Sequence, residues 1–361
     1  MYFCAAKKHY MSKQDKINNF NPNGLGDANN NIYGLPFTTD EAEIVILPVP
    51  WEVTVSYSAG TALGPQVIYN ASYQVDLFDP KIKDAWKIGI AMDAISDNIS
   101  SKNESLRRKA EGYIELLLEG ESHETNNEME NTRKLINSEC LQMNNWVKAK
   151  SLSFLEQNKI VALLGGDHST PLGLMQALAE KNNSFAILQI DAHADLRDAY
   201  EGFEFSHASI MFNALKIPQV SKLVQVGIRD YCQDEFELIK NSNGRIETFF
   251  DRDIKHKQLD GVTWTTICNE IIAQLPNDIY LSFDIDGLDP KLCPNTGTPV
   301  AGGFEFEQIL MLIEKIVDSG KRILSFDINE VAPGGDEWDA NVGARLLYRI
   351  SNLVAKSNGK A

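Results

Sequence analysis

Three short clusters of aspartate and histidine each follow, or are close behind, an apolar run. They are GGDHS at residues 165–169, DAHAD at residues 191–195 and DIDGLDP at residues 284–290. Alternate residues of an extended segment project to the same side, so the carboxylates and imidazoles of one cluster can converge. Together, the three clusters predict a metal site.

The elements that position these clusters are predicted to be buried strands. The runs FAILQI at 185–190 and DIYLSF at 278–283 are typical of strands in a parallel sheet. Ligands of open α/β sheets bind beyond the carboxyl ends of the strands, where both clusters begin. Similar runs at 44–51, 223–228 and 322–327 alternate with helical stretches at 265–274 and 305–318, which favours one α/β domain with a parallel sheet. The pattern of apolar residues at 99–157 predicts amphipathic helices that cover this sheet.

Six side chains of these clusters can ligate metal: His168, Asp191, His193, Asp195, Asp284 and Asp286. They exceed the four positions of one tetrahedral zinc. Imidazole with carboxylate, and without thiolate, suits manganese, iron, cobalt or nickel. Two cations about 3.5–4 Å apart need bridging carboxylates and can hold a hydroxide between them. Asp191 and Asp284 are the predicted bridges.

With GTPVAGG at 297–303 and DINEVAP at 327–333, these motifs resemble the signature set of the arginase and agmatinase family, the ureohydrolases, over roughly residues 44–355. The resemblance implies a single three-layer α/β domain, with a parallel, roughly eight-stranded sheet flanked by helices. It also implies two divalent transition metal ions per chain, manganese or nickel. The implied ligands are His168, Asp191, Asp195 and Asp284 for one ion, and Asp191, His193, Asp284 and Asp286 for the other.

The resemblance also suggests catalytic roles. A surplus of carboxylate suits a cationic substrate such as a guanidinium, which is planar and always protonated. Glu330, in DINEVAP, matches the family's guanidinium-orienting glutamate. His207, in FSHAS at 205–209, matches a histidine proposed to shuttle protons, work that suits a pKa near neutrality. The expected reaction is attack of the bridging hydroxide on the guanidinium carbon, with Asp195 accepting its proton, to release urea.

The predicted substrate is agmatine or free guanidine. The segment LRDAYEGFE at 196–204 lacks the Asn, Thr and Ser residues with which true arginases hold an amino-acid head group. Glu201 and Glu204 are expected to line a channel for a distal ammonium. Trp338 is expected to close the pocket over a small planar cation by stacking. The segments at 44–57 and 336–345 resemble those of a subgroup that acts on free guanidine.

Other functions remain open at this stage. A formimidoyl hydrolase would need a cationic subsite for two carboxylates, for which Arg197 and Arg229 are the candidates. A catalytically silent binding protein on the same scaffold would usually have lost ligands, and all six are present. A single-zinc deacetylase would leave His168 and Asp286 without an ion.

The composition of the chain limits its possible partners and cellular location. The 361 residues carry a net charge of −16, which argues against nucleic acid as a partner. The sequence has no apolar run of membrane-spanning length, so we expect no membrane partner. The five cysteines form no Cys-x-x-Cys pair, which favours reduced thiols and a cytoplasmic location. Cys293 is expected to be a buried spectator, and the protein a homo-oligomer, a trimer or hexamer.

The first forty residues are expected to stand apart as a flexible extension or arm, followed by a metallohydrolase domain at 41–361. Residues 1 to about 15 are predicted to be disordered, and Met11 is a candidate start. The Asn- and Gly-rich segment that follows favours loops. Its apolar residues between 20 and 39 predict an ordered arm that could lie over a neighbouring subunit.

Overall fold

The computed structural model describes residues 11–361. Within that range the chain forms one parallel sheet of eight strands, in the order β2-β1-β3-β8-β7-β4-β5-β6. The strands are β1 Ile44–Val49, β2 Ile90–Met92, β3 Ile160–Gly165, β4 Phe185–Ile190, β5 Val220–Ile228, β6 Ile246–Phe250, β7 Asp278–Asp284 and β8 Arg322–Asn329. The predicted parallel sheet of about eight strands is confirmed.

Helices cover both faces of the sheet. They are α1 Lys13–Asn19, α2 Gly64–Ser72, α3 Asp97–Leu118, α4 Asn127–Leu155, α5 Leu172–Lys181, α6 Ile210–Ala214, α7 Gln233–Lys240, α8 Asp251–Leu259, α9 Trp264–Ala273, α10 Phe306–Asp318 and α11 Trp338–Ser357. Helices α2, α8, α9, α10 and α11 share one hydrophobic core with the sheet, whereas α3, α4, α5 and α6 share a second core on the opposite face. The domain is therefore three-layered.

Strand β1 shows why two cores form. Ile44 and Ile46 belong to one core, and Val45, Leu47 and Val49 belong to the other, as the two-residue period of a strand requires. Both faces of the strand are fully buried, so its sequence is apolar throughout instead of alternating.

The stretch at 99–157 forms two helices, α3 and α4, as its amphipathic pattern indicates. The polar segment before α4 ends at Asn126, whose side-chain oxygen accepts hydrogen bonds from the backbone N–H groups of Glu128 and Met129. Such a cap satisfies donors that have no partner within the helix.

Among the helices of residues 11–361, none combines the length and the hydrophobicity that a membrane span requires.

The N-terminal segment differs from expectation. Residues 13–15, predicted to be disordered, lie in α1, because Ser12 and Asp15 form a capping box that satisfies the first backbone donors of this helix. The prediction of disorder for residues 1–10 lies outside the described residues. Further on, Tyr33 and Phe37 are buried in the core of their own chain, and the Tyr33 hydroxyl donates to the carbonyl of Ala344 at 3.0 Å.

The four cysteines of the described residues, Cys140, Cys232, Cys268 and Cys293, are free thiols. Cys293 is completely buried, and burial raises the pKa of its thiol. A buried thiol held neutral in this way is a poor nucleophile.

Candidate metal centre

The predicted ligands come from strands that are neighbours at the middle of the sheet. The order β3-β8-β7-β4 brings the carboxyl ends of these four strands side by side. His168 follows β3, Glu330 follows β8, Asp284 ends β7, and Asp191 follows β4. Parallel strands present their carboxyl ends at one edge, so residues distant in sequence meet there.

His168 lies at the centre of a first group. Its Nδ1 atom is 2.9 Å from Oδ2 of Asp191, 3.1 Å from Oδ2 of Asp195 and 3.4 Å from Oδ2 of Asp284. His168 is 1% exposed and Asp191 is completely buried. Ligand atoms of His168, Asp191 and Asp284 lie close enough together to share one cation, and Asp195 contacts the same His168 nitrogen.

His193 forms a second group beside the first. Its Nδ1 atom is 3.0 Å from Oδ2 of Asp286 and 3.7 Å from Oδ1 of Asp191. Asp191 therefore presents one oxygen to each histidine, and it belongs to both ligand clusters of the site. This position is what a bridging carboxylate between two cations requires. Asp284 is in the first cluster and accepts a hydrogen bond from the backbone N–H of Asp286 at 2.9 Å.

The electrostatics of the site fit bound cations. Burial, followed by the neighbouring anions Asp286 and Asp191, raises the pKa of Asp284 well above its usual value. Burial and the charge of Asp191 raise the pKa of Asp195 to about 7. His168 Nδ1 is buried and has no hydrogen-bond partner of good geometry among residues 11–361. Carboxylates crowded around a buried nitrogen that lacks a hydrogen-bond partner are the environment that divalent ions stabilise.

Asp286 and His193 behave as a pair. Burial alone would raise the pKa of Asp286, but His193, the backbone N–H of Ala192 and the charge of Arg229 lower it to about 2. Burial likewise opposes protonation of His193, yet Asp286 raises its pKa to about 10. A cation ligated by both side chains would take the place of the shared proton.

Behind the ligands is a layer of polar residues that sequence reasoning missed. His168 Nε2 lies 2.9 Å from the hydroxyl of Ser282, which donates to Asp327 at 3.1 Å. The side-chain amide of Gln189 donates to Oδ2 of Asp191 at 2.8 Å. Such partners fix the orientation of ligands and tune their basicity. The sequence did contain a sign of this layer. Ser282 and Gln189 are polar residues inside buried strands, and each stands two positions before a candidate ligand and thus on the same side of its strand.

Two candidate site residues have left-handed backbone. Asp195 has φ of 54° and Glu330 has φ of 65°, a region that non-glycine residues seldom occupy. The carbonyl of Asp195 accepts hydrogen bonds from the backbone N–H groups of Met211 and Phe212 at the start of α6. These bonds hold the turn that aims the Asp195 carboxylate at His168.

Glu330 is buried beside the first group. Its Oε1 atom accepts the backbone N–H of His168 at 2.8 Å, and its own N–H donates to the carbonyl of Gly166 at 2.8 Å. Burial, then the charges of Asp284 and Asp167, raises the pKa of its carboxyl group. The second oxygen, Oε2, faces Gly297, where an added Cβ would lie 3.3 Å from it. A bound cation would favour the ionised form of this carboxyl group, which can then receive the N–H groups of that cation.

His207 lies at the start of the turn that leads into α6 and lines the same cavity as the ligands. Burial lowers its pKa to about 4, and His193 and His168 act in the same direction. The value differs from the near-neutral pKa expected from the sequence, because apolar surroundings and neighbouring imidazoles disfavour its charged form. His207 is therefore neutral near pH 7, with its protonated form disfavoured by its surroundings.

A cavity of about 510 Å³ opens from the ligands to the surface. Its inner part contains His168, His193, Asp195, Asp284, His207 and Glu330. Its outer part contains Arg197, which the sequence offered only as a subsite for a substrate with two carboxylates. It also contains residues that sequence reasoning did not assign to a substrate, namely Ser56, Tyr57, Tyr200, Asp230, Tyr231 and Thr298. These residues lie on separate loops, which a reading of single motifs does not bring together.

Three predicted substrate contacts do not line this cavity: Glu201, Glu204 and Trp338. Tyr200 and Phe203 exchange backbone hydrogen bonds, and Phe203 is buried against Tyr113. This tight turn directs Tyr200 to the cavity and leaves Glu204 exposed on another part of the surface. Trp338, at the start of α11, is 45% exposed and donates from its indole N–H to the carbonyl of Lys291 at 2.9 Å.

Known proteins are similar to this chain in sequence and in fold. A family model described as the arginase family matches residues 42–351. The N(1)-aminopropylagmatine ureohydrolase of Thermus thermophilus is 30% identical over 320 residues, 89% of this chain and 93% of that protein. The agmatinase of Bacillus anthracis is 27% identical over 301 residues, 83% of this chain and 87% of that protein. The crystal structure of an agmatine ureohydrolase of Thermoplasma volcanium is similar with a TM-score of 0.67 at 21% identity, covering 90% of this chain and 93% of that one.

Proposed function

Because the chain belongs to the arginase family, we propose that it hydrolyses a small cationic guanidino compound and releases urea. One observation carries the proposal: the clusters around His168 and His193 share Asp191, and Glu330 is hydrogen-bonded to the backbone of His168. A carboxylate suited to receive a guanidinium thus lies directly beside the residues that would hold two cations, which supports the proposal. Relatives named agmatinase and N(1)-aminopropylagmatine ureohydrolase support the same reaction class.

Six residues would hold the two ions: His168, Asp191, His193, Asp195, Asp284 and Asp286. When bound, such a pair of ions activates water as a nucleophile at neutral pH and stabilises developing negative charge. The set of imidazole and carboxylate donors suits manganese and nickel alike. We propose one of these two metals as the cofactor.

The protein's own residues orient the substrate and move protons. Glu330 accepts charge-assisted hydrogen bonds from the planar guanidinium, which holds the guanidinium carbon toward the ligand clusters. Asp195, whose pKa is raised to about 7 by burial and by Asp191, accepts a proton near the attacked carbon. Neutral His207 takes up a proton and delivers it to the departing nitrogen, so that the amine or ammonia leaves.

No observation favours a formimidoyl hydrolase. Of its two candidate cationic residues, Arg229 uses its guanidinium on the carbonyls of Val300 and Asp286, at 3.0 and 2.6 Å. Of the two arginines only Arg197 is left for the cavity, and a substrate with two carboxylates would need more than one cationic side chain.

The proposal extends to assembly and location. We propose a homo-oligomer, a trimer or hexamer, which size-exclusion chromatography with light scattering would test. We also propose a cytoplasmic location, which the four free thiols of the described residues support.

A urea-release assay tests the proposed function. The purified chain of 361 residues is loaded with manganese or with nickel and given guanidine, agmatine, 4-guanidinobutyrate or arginine. Urea release that requires one of these metals is the expected result. Absence of urea from all four compounds with either metal would overturn the proposal.

A further inference from the structure

Arg197 is a half-buried cation in the outer wall of the cavity. Its guanidinium carbon lies 4.7 Å from the centre of the Tyr200 ring. That ring in turn meets His207 edge-on, with 6.2 Å between the ring centres. The stack of Arg197, Tyr200 and His207 holds a positive charge one aromatic ring away from the inner site.

This charge is not neutralised by an ion pair. Within residues 11–361, no carboxylate lies within 4.0 Å of the Arg197 guanidinium, although most other arginines form such pairs or donate to carbonyls. Stacking on Tyr200 fixes the guanidinium by a cation–π contact and leaves its charge in place. The outer cavity therefore contains a fixed cation.

The two other charged residues of the outer wall do not change this conclusion. The hydrogen bonds of Glu235 do not remove its charge, but both carboxylate oxygens already accept backbone N–H groups, those of Leu196 and Cys232, at 2.9 Å each, so neither oxygen is free for a substrate ammonium. The side chain of Asp230 is 68% exposed, and its Oδ2 atom lies 3.9 Å from Nε2 of His193. Water screens an exposed carboxylate of this kind more effectively than it screens a half-buried guanidinium.

We infer that Arg197 is a specificity-determining residue that selects against guanidino substrates with a second positive charge. The inference rests on the proposed function. A substrate whose guanidinium is bound by Glu330 extends its tail through the outer cavity, because the inner end is closed by the ligands. A distal ammonium would enter the field of Arg197, whereas free guanidine has no tail, and a neutral or carboxylate-bearing tail meets no repulsion.

The test compares tails that differ in charge and have similar length. Agmatine has a distal ammonium, 1-butylguanidine has a neutral end and 4-guanidinobutyrate has a carboxylate. In the metal-loaded wild-type enzyme, kcat/KM for agmatine should be below that for butylguanidine, and guanidinobutyrate should not fall below butylguanidine. The Arg197→Gln variant should raise the agmatine-to-butylguanidine ratio of kcat/KM by about tenfold, the effect of a like charge several ångströms away.

Two further variants act as controls. Arg197→Lys keeps the charge and should keep the ratio near that of the wild type. Asp230→Asn removes a carboxylate from the same wall, and it should also leave the ratio within about twofold if the exposed carboxylate is screened. Metal content and circular dichroism of each variant establish that it is folded and loaded.

The outcomes separate this inference from the proposed function. An unchanged ratio in Arg197→Gln, with urea still produced, would overturn the role of Arg197 alone. A fall in agmatine turnover that occurs only in Asp230→Asn would show that Asp230 binds the distal ammonium. That result would also overturn the proposed role of Arg197. Failure of every guanidino compound to yield urea would reject the proposed function, and the inference with it.

Discussion

The backbone N–H of His168 donates a hydrogen bond of 2.8 Å to the carboxylate of Glu330, although 162 residues separate them in the chain. The N–H of Glu330 in turn donates to the carbonyl of Gly166, two residues before His168. The candidate metal ligand and the candidate guanidinium acceptor are thus fastened to each other. Because neighbouring strands β3 and β8 carry them, the distance between metal and substrate sites is set by the sheet itself.

Glu330→Gln tests the guanidinium acceptor. The amide keeps the shape of the side chain and can still accept the N–H of His168, but it loses the charge that binds a cation. Hydrogen bonds to charged groups contribute about 1.5–3 kcal/mol, so kcat/KM for guanidino substrates should fall roughly tenfold to more than a hundredfold. Elemental analysis should find the metal content unchanged. Glu204→Gln, on the surface, is the matched control and should keep wild-type activity; full activity in Glu330→Gln would remove Glu330 from substrate binding.

Asp191→Asn tests the bridge. Asp191 presents one oxygen to each histidine cluster, so the Asp191→Asn variant should bind both ions more weakly. Asp284→Asn should have the same effect if Asp284 also bridges the two ions. Active wild-type enzyme should contain about two transition metals per chain. Inductively coupled plasma mass spectrometry measures the content of each variant after dialysis. Asp230→Asn, which changes an exposed carboxylate close to His193, should retain both ions. Two tightly held ions in Asp191→Asn would contradict the bridging assignment.

His207→Ala tests proton transfer. A positioned acid–base residue contributes roughly 10²- to 10⁴-fold to the rate, so kcat should fall by about that factor while both metals stay bound. The control is His256→Ala, since His256 is exposed on α8 and remote from the cavity lining. Stopped assays of urea release give kcat for each variant. If His207→Ala turns over at the wild-type rate, His207 has a structural role only.

The sequence predicted more of the inner site than of the outer one, for a physical reason. Ligands that directly follow buried strands are placed by the sheet, so Asp191, Asp284 and His168 could be assigned from spacing and resemblance. Glu201 and Glu204 lie in a loop whose course depends on the packing of Phe203 against Tyr113, which is a tertiary contact. Strands β2 and β6 are short or only partly buried, and their sequences give a weak pattern.

Ser282→Ala tests the layer behind the ligands. Ser282 connects His168 to Asp327, and loss of such a partner typically weakens metal binding about 10- to 100-fold. Competition with a chelator at increasing concentrations should show this loss. Ser325→Ala is a close control, because Ser325 is a completely buried serine in β8 whose hydroxyl has no hydrogen-bond partner among residues 11–361. Equal metal affinity in the two variants would mean that Ser282 does not orient His168.

Trp338→Ala tests whether the tryptophan takes part in substrate selection. The sequence suggested a cap over a planar cation, and such a cap would make guanidine turnover far more sensitive than agmatine turnover. In the structure Trp338 is absent from the cavity lining, and its indole N–H donates to the carbonyl of Lys291.

This contact joins α11 to the loop after Asp289, so its loss should lower the free energy of unfolding by about 1 kcal/mol. Thermal unfolding would show this as a small fall in Tm. The ratio of kcat/KM for guanidine to that for agmatine should stay within about twofold of the wild type, since a residue outside the cavity has no differential contact with the two substrates. A tenfold fall in that ratio would restore Trp338 to the substrate site and would require the loop at its side to close over the cavity during turnover.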